Sequence, residues 1–305
     1  MTRLCKPRAL KPGATLGIAA PGGPVERDVL LAGIALLEGR GFRTRMRDDL
    51  FARRGYLAGD DARRAGELTE LVADPQVDAI LCARGGYGCD RILPRLDAAA
   101  FRAARKPLVG YSDVTALLLW QRRQAGLVGF HGPMLERGSD VDPGVLDALI
   151  GALAGERAPV LRGTPRAGGV ATGRLVGGSL TLVAASIGTS WEIDTRGAIL
   201  LLEDRGERPY RIDRMLQQLR GAGKLARLAG VGLGDFSSCL DERYPDLSAE
   251  QLVAEEIAPL GIPLVTDLPF GHVKANYPWP MGCRAKLDAD RGELLMLERG
   301  VSVAS

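Results

Sequence analysis

Strand and helix patterns alternate through the first half of the chain, and this alternation leaves few folds open to it. Apolar runs such as "TLGIAA" (15–20) and "VDAILC" (77–82) have the length of buried strands. The segments between them, such as 25–39 and 60–73, carry apolar residues at helical spacing. Strand–helix repetition of this kind is typical of a parallel sheet covered by helices on both faces. The sequence therefore predicts an α/β fold.

Four of the predicted strands end in short loops that contain glycine. These loops begin at Ala20, Arg84, Gly110 and His131. In an open parallel sheet, ligands bind beyond the carboxyl ends of the strands, and glycine lets the backbone approach a ligand closely. We therefore expect the functional site at this edge of the sheet.

The stretch "KPLVGYSDVTALLLW" (106–120) places Ser112 on a tight corner between a strand and a helix. Serine is a favoured helix N-cap, and it is also the nucleophile of the strained strand-to-helix turn in G-x-S-x-G enzymes. The second glycine of that motif is replaced by Val114. If Ser112 is a nucleophile, the backbone N–H of Asp113 and one from Gly85 or Gly86 would stabilise the oxyanion. The local sequence leaves both interpretations open.

The second half of the chain has a different pattern, which predicts a second α/β domain with more antiparallel strands. Residues 156–170 are rich in Gly, Pro and Arg and are predicted to be a linker. The predicted domains are therefore residues 1–155 and 171–305. The tail is expected to form a hairpin that turns at 290–292.

The second half also supplies candidates for a base and a carboxylate. His272 is expected at the end of the strand "IPLVTDLPFGH", and Glu203 with Asp204 ends the strand "AILLLED". Either carboxylate can be a helix cap or the group that orients a catalytic imidazole. His131, on the same sheet edge as Ser112, is the rival base, since the chain has only two histidines.

Composition excludes several classes of function. The net charge is +3 and no basic run is interleaved with aromatics, so no nucleic-acid partner is expected. No apolar run has the length of a signal peptide core or a membrane span, which favours a cytoplasmic protein without a membrane partner. The five cysteines form no CxxC pair, and the loop at 20–24 lacks a dinucleotide or Walker fingerprint. No metal or cofactor is expected.

Several segments together resemble one family, the LD-carboxypeptidases, which include the microcin C immunity peptidases. They occur in family order from about residue 14 to 288. The matching segments are "GIAAPGGPV", "ARGGYGCDRILPRLD", "GYSDVTAL", "FHGPM", "GRLVGGSLTLVAASIGT", "ILLLEDRGERPYRIDRMLQQL" and "LPFGHVKANYPWPMG".

The resemblance implies a flavodoxin-like N-terminal domain, a smaller swivelling β/α C-terminal domain, a homodimer and a serine peptidase without a metal. It favours His272 over His131 as the base. The implied site consists of a Ser112–Glu203–His272 triad with oxyanion donors at Gly86 and Asp113. From the residues themselves, Arg84 could bind a substrate carboxylate or belong to the surface, and Gly85 and Tyr111 are further candidate substrate contacts.

The implied reaction is hydrolysis of the bond between an L-centre and a terminal D-amino acid, as in release of D-alanine from cytoplasmic muropeptide tetrapeptides. One alternative is a microcin C immunity peptidase that cleaves aminoacyl-nucleotides, with Trp191 or Trp279 as a platform for the base. Others are a non-catalytic small-ligand-binding protein and a nucleotide-dependent enzyme. The run at 277–280, "YPWP", departs from the "LPLG" pattern of many relatives.

Overall fold

The computed structural model describes residues 4–156 and 158–303, which form two sheets with helices packed on them. The strands of the first sheet are β1 (Thr15–Ala19), β2 (Arg43–Arg45), β3 (Ala79–Cys82), β4 (Leu108–Gly110), β5 (Gly129–His131) and β12 (Trp279–Met281). The helices that accompany them are α1 (Arg27–Glu38), α2 (Asp61–Ala73), α3 (Cys89–Ile92), α4 (Ala98–Ala104), α5 (Val114–Trp120) and α6 (Pro143–Ala154).

The first sheet is flavodoxin-like, as the resemblance implied. Strands β2, β1, β3, β4 and β5 pair in that order, and all of these pairs are parallel. The chain runs from β1 outward to β2 and then back to β3, so the order reverses between β1 and β3. Crevices at such a reversal are where open α/β sheets bind ligands. The loops that follow β1 and β3 are the predicted glycine loops.

The second sheet mixes parallel and antiparallel strands. Its strands are β6 (Leu161–Arg162), β7 (Thr164–Ala167), β8 (Val170–Ser179), β9 (Ala198–Glu203), β10 (Gly230–Leu233), β11 (Leu264–Thr266), β13 (Arg284–Asp288) and β14 (Glu293–Met296). The helices of this half are α7 (Leu180–Ala185), α8 (Pro209–Gly221) and α9 (Ala249–Ile257). Strands β8 to β11 are parallel and form the centre, whereas β7, β13, β14 and β6 add antiparallel pairs at the two sides. The hairpin β13–β14 turns at the predicted place.

Local sequence explains where the first helices begin and end. The side chain of Asp60 accepts a hydrogen bond from Arg63 N at 2.8 Å and caps α2. Asp142 caps α6, which has Pro143 in its first turn and is followed by Gly155 in the left-handed conformation. The helix predicted at 114–124 is α-helical only to Trp120 and continues as a π-helical turn over 121–125.

Two segments differ from the sequence prediction. The segment predicted as a linker, 156–170, contains β6 and β7, both of which pair within the second sheet. In addition, β12 leaves the second half and pairs antiparallel with β5 at the edge of the first sheet. The chain therefore crosses between the sheets more than once, and the proposed domain boundaries stay a prediction.

A shared apolar core joins the two sheets next to the site. Leu117 of α5 and Leu180 and Val183 of α7 are fully buried in one cluster with the strands of the second sheet. Burying one such side chain contributes about 1.5–3 kcal/mol. Ser179 N donates a hydrogen bond to Thr115 Oγ1 at 3.2 Å across the same contact. The helix that follows Ser112 is thus packed directly against the strand that precedes α7.

Candidate active site

Ser112 lies two residues beyond β4 with φ at 59°, in the left-handed region. This conformation costs a residue with a side chain about 1–2 kcal/mol, and such strain often marks a functional site. The N-cap of α5 is Asp113, and no side-chain hydrogen bond caps this helix. The interpretation of Ser112 as a helix cap is therefore wrong. Ser112 instead lines a cleft of about 670 Å³.

Glycine loops pack tightly around the Ser112 corner. A Cβ at Gly85 would lie 2.8 Å from Ser112 Cβ and 3.0 Å from its Oγ. Gly86 has φ at 86°, and a Cβ there would lie 3.0 Å from Gly23 Cα. Gly23 N donates to Gly85 O at 2.6 Å. In the described part of the chain, no acceptor takes the N–H of Gly86 or Asp113, which leaves two donors beside Ser112.

Two buried ionic side chains, Arg64 and Glu67, bind the backbone of these loops. Arg64 is fully buried, and its Nη1 donates to the carbonyls of Pro21 at 2.5 Å and Gly88 at 2.7 Å. Glu67 is also fully buried and accepts from Ala20 N at 2.7 Å. Burial raises the pKa of Glu67 to about 7. One guanidinium and one carboxyl thus connect the loop after β1 to α2 and to the loop after β3.

Replacing Arg64 with methionine is expected to lower the free energy of unfolding by about 3 kcal/mol, since it strips partners from buried carbonyls and from Asp61. Urea unfolding measures the change. Arg91→Met is the matched control, because Arg91 pairs with the same Asp61 carboxylate at 2.9 Å but has a side chain that is 43% exposed. We expect the control to unfold like the wild type. Equal losses in both variants would contradict the role given to Arg64.

His272 and Glu203 form the second part of the site. His272 Nδ1 lies 2.7 Å from Glu203 Oε2, and Glu203 is fully buried at the end of β9. The loop that carries His272 can lie against this carboxylate because Gly271 has no Cβ. A Cβ at this position would be 2.9 Å from Glu203 Oε2. Arg137 Nη2 donates to the carbonyl of His272 at 2.8 Å. His272 was expected at a strand end, but β11 ends at Thr266, so the imidazole is carried by a loop.

The charges of this pair influence each other. Burial lowers the pKa of His272, but the hydrogen bond and the negative charge of Glu203 outweigh it, so the pKa lies above 6.5. Burial raises the pKa of Glu203, and the hydrogen bond from His272 opposes this. The Glu203 contact also selects the tautomer with a proton on Nδ1, which leaves Nε2 free to accept one.

Tyr111 connects Ser112 to the imidazole. Its ring makes an edge contact with the His272 ring at 4.9 Å between centroids. Its hydroxyl donates to Glu136 Oε1, and both Tyr111 and Glu136 line the cleft. Ser112 and His272 line the same cleft from the first and second halves of the chain. They are not hydrogen-bonded to each other, and in unliganded sites such bonds often form only when the substrate binds.

His131 is not part of this cleft. It is fully buried, stacked on Trp279 at 4.9 Å and in edge contact with Phe270 at 5.7 Å. Burial is the main cause that lowers its pKa to about 3. Trp279 is fully buried and Trp191 is 8% exposed, so neither offers a free ring face to a ligand. The departure at 277–280 therefore supplies the edge strand β12 and a packing contact.

The cleft also has residues that the sequence did not single out. They are Glu26, Glu136, Arg137, Arg205 and Ser238, with an apolar wall that includes Val25, Leu30 and Met134. Glu136 and Arg137 lie a few residues beyond the predicted loop at His131. A prediction that extended this loop towards the C-terminus would have included both residues. Of the candidate substrate contacts, Arg84, Gly85 and Tyr111 all line the cleft.

Taken together, the cleft contains a strained serine and an imidazole backed by a buried carboxylate, and beside the serine are two backbone N–H groups with no acceptor among the described residues. These are the groups needed for attack by a hydroxyl on a carbonyl carbon with formation of an acyl intermediate. Among the described residues, no three His, Cys, Asp or Glu side chains could together hold a metal ion. No helix in the described ranges is long and apolar enough to span a membrane.

Two family models match the chain. Residues 16–132 match the LD-carboxypeptidase N-terminal domain, and residues 172–287 match the LD-carboxypeptidase C-terminal domain. The chain is 37% identical to the probable murein peptide carboxypeptidase of Bacillus subtilis, with 97% of this chain and 95% of that protein covered. It is 34% identical to the murein tetrapeptide carboxypeptidase of Pseudomonas aeruginosa, with 90% and 94% covered.

Solved structures of two other proteins have a fold similar to that of this chain. The muramoyltetrapeptide carboxypeptidase from Oxalobacter formigenes superposes with a TM-score of 0.84 at 31% identity, covering 92% of this chain and 97% of that one. The structure of MccF in complex with glutamyl sulfamoyl guanosine superposes with a TM-score of 0.89 at 22% identity, covering 97% and 99%. The second likeness concerns the fold alone.

Proposed function

This chain belongs to the LD-carboxypeptidase family, and we propose that it is a serine peptidase that releases terminal D-alanine from cytoplasmic muropeptide tetrapeptides. The observation that carries the proposal is the 2.7 Å contact between His272 Nδ1 and the buried Glu203 carboxylate, behind an imidazole that lines the same cleft as the strained Ser112. The names of the relatives from Pseudomonas aeruginosa and Oxalobacter formigenes support the substrate class.

In the proposed mechanism, His272 Nε2 takes the proton of the Ser112 hydroxyl as Oγ attacks the carbonyl carbon at the L-centre. The carbonyl oxygen becomes an oxyanion that accepts hydrogen bonds from the N–H groups of Gly86 and Asp113. The amide C–N bond then breaks, and D-alanine leaves with the proton from His272. Water, deprotonated by His272, hydrolyses the ester on Ser112 and restores the enzyme.

Glu203 orients the imidazole and stabilises its protonated form during both steps. A carboxylate in this position is worth about 10⁴-fold in kcat where it has been replaced by an amide. The strain at Ser112 serves the same reaction, because it keeps Oγ at the corner between the glycine loops and His272.

The test is D-alanine release by the wild-type protein from the tetrapeptide L-Ala-γ-D-Glu-meso-diaminopimelate-D-Ala. D-alanine is detected with a D-amino-acid oxidase assay, and a fluorophosphonate probe reports Ser112 reactivity. Release together with labelling is the expected result. Labelling without release, but with cleavage of an aminoacyl-nucleotide, would transfer the proposal to the microcin-type reaction. Absence of both activities and of labelling would leave a ligand-binding protein.

Glu203→Gln is expected to lower kcat by about 10⁴-fold and to shift the pH profile. A base must be neutral to accept a proton, so wild-type kcat/KM should fall as the pH drops through the His272 pKa, which Glu203 holds above 6.5. The amide removes the negative charge and leaves the effect of burial, which lowers this pKa. The acid limb of kcat/KM should therefore move to lower pH. An unmoved limb would show that another group controls it.

A further inference from the structure

Three arginines line the cleft, Arg84, Arg137 and Arg205, and within the described ranges none of them forms an ion pair with a carboxylate. Two glutamates face these three arginines in the cleft, and one of the two is already paired with another arginine. Glu26 pairs with Arg53 at 2.5 Å, and Glu136 accepts the hydroxyl of Tyr111. The cleft therefore has an excess of positive charge and favours an anionic ligand. A peptide with a free terminal carboxylate is such a ligand.

The proposed mechanism fixes the side of the cleft on which that carboxylate must lie. The leaving nitrogen takes its proton from His272, so the leaving residue lies on the His272 side of Ser112. The carbonyl oxygen points the other way, towards the N–H groups of Gly86 and Asp113. Since the terminal carboxylate is attached to the same Cα as the leaving nitrogen, the group that binds it must lie near His272.

Of the three arginines, Arg137 meets this condition best. Its Nη2 is fixed by the 2.8 Å hydrogen bond to the carbonyl of His272, and the side chain is half-buried. Arg84 is exposed and is held on the glycine-loop side, where Nη1 donates to Pro24 O at 2.8 Å. The charge of Arg205 also acts on His272 and lowers its pKa, but Arg205 is exposed, and no hydrogen bond fixes its guanidinium among the described residues. Fixing one end of an arginine lowers the entropy lost on binding.

We infer that Arg137 binds the terminal carboxylate of the leaving D-amino acid and so makes the enzyme a carboxypeptidase. This inference rests on the proposed function. A guanidinium has five N–H donors, and one of these bonds goes to His272, so the remaining donors can form a charge-assisted pair with a carboxylate. The same residue then ties the position of the substrate's end to the loop that carries the base.

The test compares the tetrapeptide acid with the same peptide ending in D-alaninamide, and wild type with Arg137→Met. The wild type is expected to prefer the acid by about 100-fold or more in kcat/KM, because the amide leaves a half-buried cation unpaired. In Arg137→Met the preference should fall below about tenfold, with the loss confined to the acid. Arg84→Met removes the same charge from the other side of the cleft, so any loss of kcat/KM should be similar for the acid and the amide, and the ratio of the two should stay close to that of the wild type.

The rate of labelling by a neutral fluorophosphonate separates this role from two others. The probe has no carboxylate, so Arg137→Met should be labelled at the wild-type rate. If labelling and the cleavage of both peptides fall by the same factor, Arg137 positions His272 and the inference is overturned. An unchanged preference for the acid overturns it too, while release of D-alanine still upholds the proposed function. If the wild type cleaves neither peptide, the proposed function fails and the inference fails with it.

Discussion

Ser112→Ala is expected to lower D-alanine release by about 10⁴-fold or more, because the variant has no hydroxyl to form the acyl intermediate. The tetrapeptide should still bind, so the loss should appear in kcat rather than in KM. The measurement is steady-state release of D-alanine, together with mass spectrometry of the fluorophosphonate adduct. In the wild type the added mass should lie on the peptide that contains Ser112, and in the variant it should be absent.

Ser238→Ala is the matched control for this variant. Ser238 lines the same cleft but does not lie at the strained corner, so its removal should keep most of the activity. Ser112→Gly adds a test of the strain. Glycine adopts a positive φ freely, so this variant should gain about 1 kcal/mol in stability while it loses activity. Full activity in Ser112→Ala would exclude the serine mechanism.

The first sheet could be predicted from sequence because its strands are short, apolar and separated by amphipathic helices. Each of β1, β3 and β4 is buried along its whole length. A short, continuous apolar run between two helices is typical of a strand in a parallel sheet that is covered on both faces. The glycine loops could be placed on one edge for the same reason, since parallel strands all end on the same side. The position of Ser112 between β4 and α5 made it a candidate nucleophile, but local sequence left a helix cap open as well, and the resemblance decided between them.

Pairing between distant segments could not be predicted in this way. Strand β12 contains Pro280 and follows Pro278, and its Trp279 packs on His131 across the antiparallel pair with β5. The strands within 161–167 occur in a segment that local composition describes as a linker. Such elements depend on partners about a hundred residues away or more, and no local pattern specifies them.

The catalytic base could not be chosen from local sequence either. From the residues alone, His131 and His272 were equal candidates, and the resemblance decided between them. What separates them in the structure is tertiary: a buried carboxylate lies 2.7 Å from His272, whereas aromatic rings surround His131. Local sequence did not identify Arg137 as a candidate site residue. Its proposed role depends on a contact with the backbone of His272, 135 residues further along the chain.

The two histidines should therefore respond in opposite ways to substitution. His272→Ala is expected to lower kcat by about 10⁴-fold or more. His131→Ala is expected to lower the free energy of unfolding by about 3 kcal/mol, since it leaves a cavity against Trp279, while the folded enzyme keeps most of its kcat. Thermal unfolding and D-alanine release, measured on the same preparations, separate the two effects.

His131→Phe refills the cavity and should restore stability without changing the rate. With a pKa of about 3, His131 stays neutral over the assay range, so removing it should leave the acid limb of kcat/KM in place. A catalytic loss in His131→Phe that matches the loss in His272→Ala would mean that the buried imidazole takes part in proton transfer, and the assignment of the base to His272 would have to be abandoned.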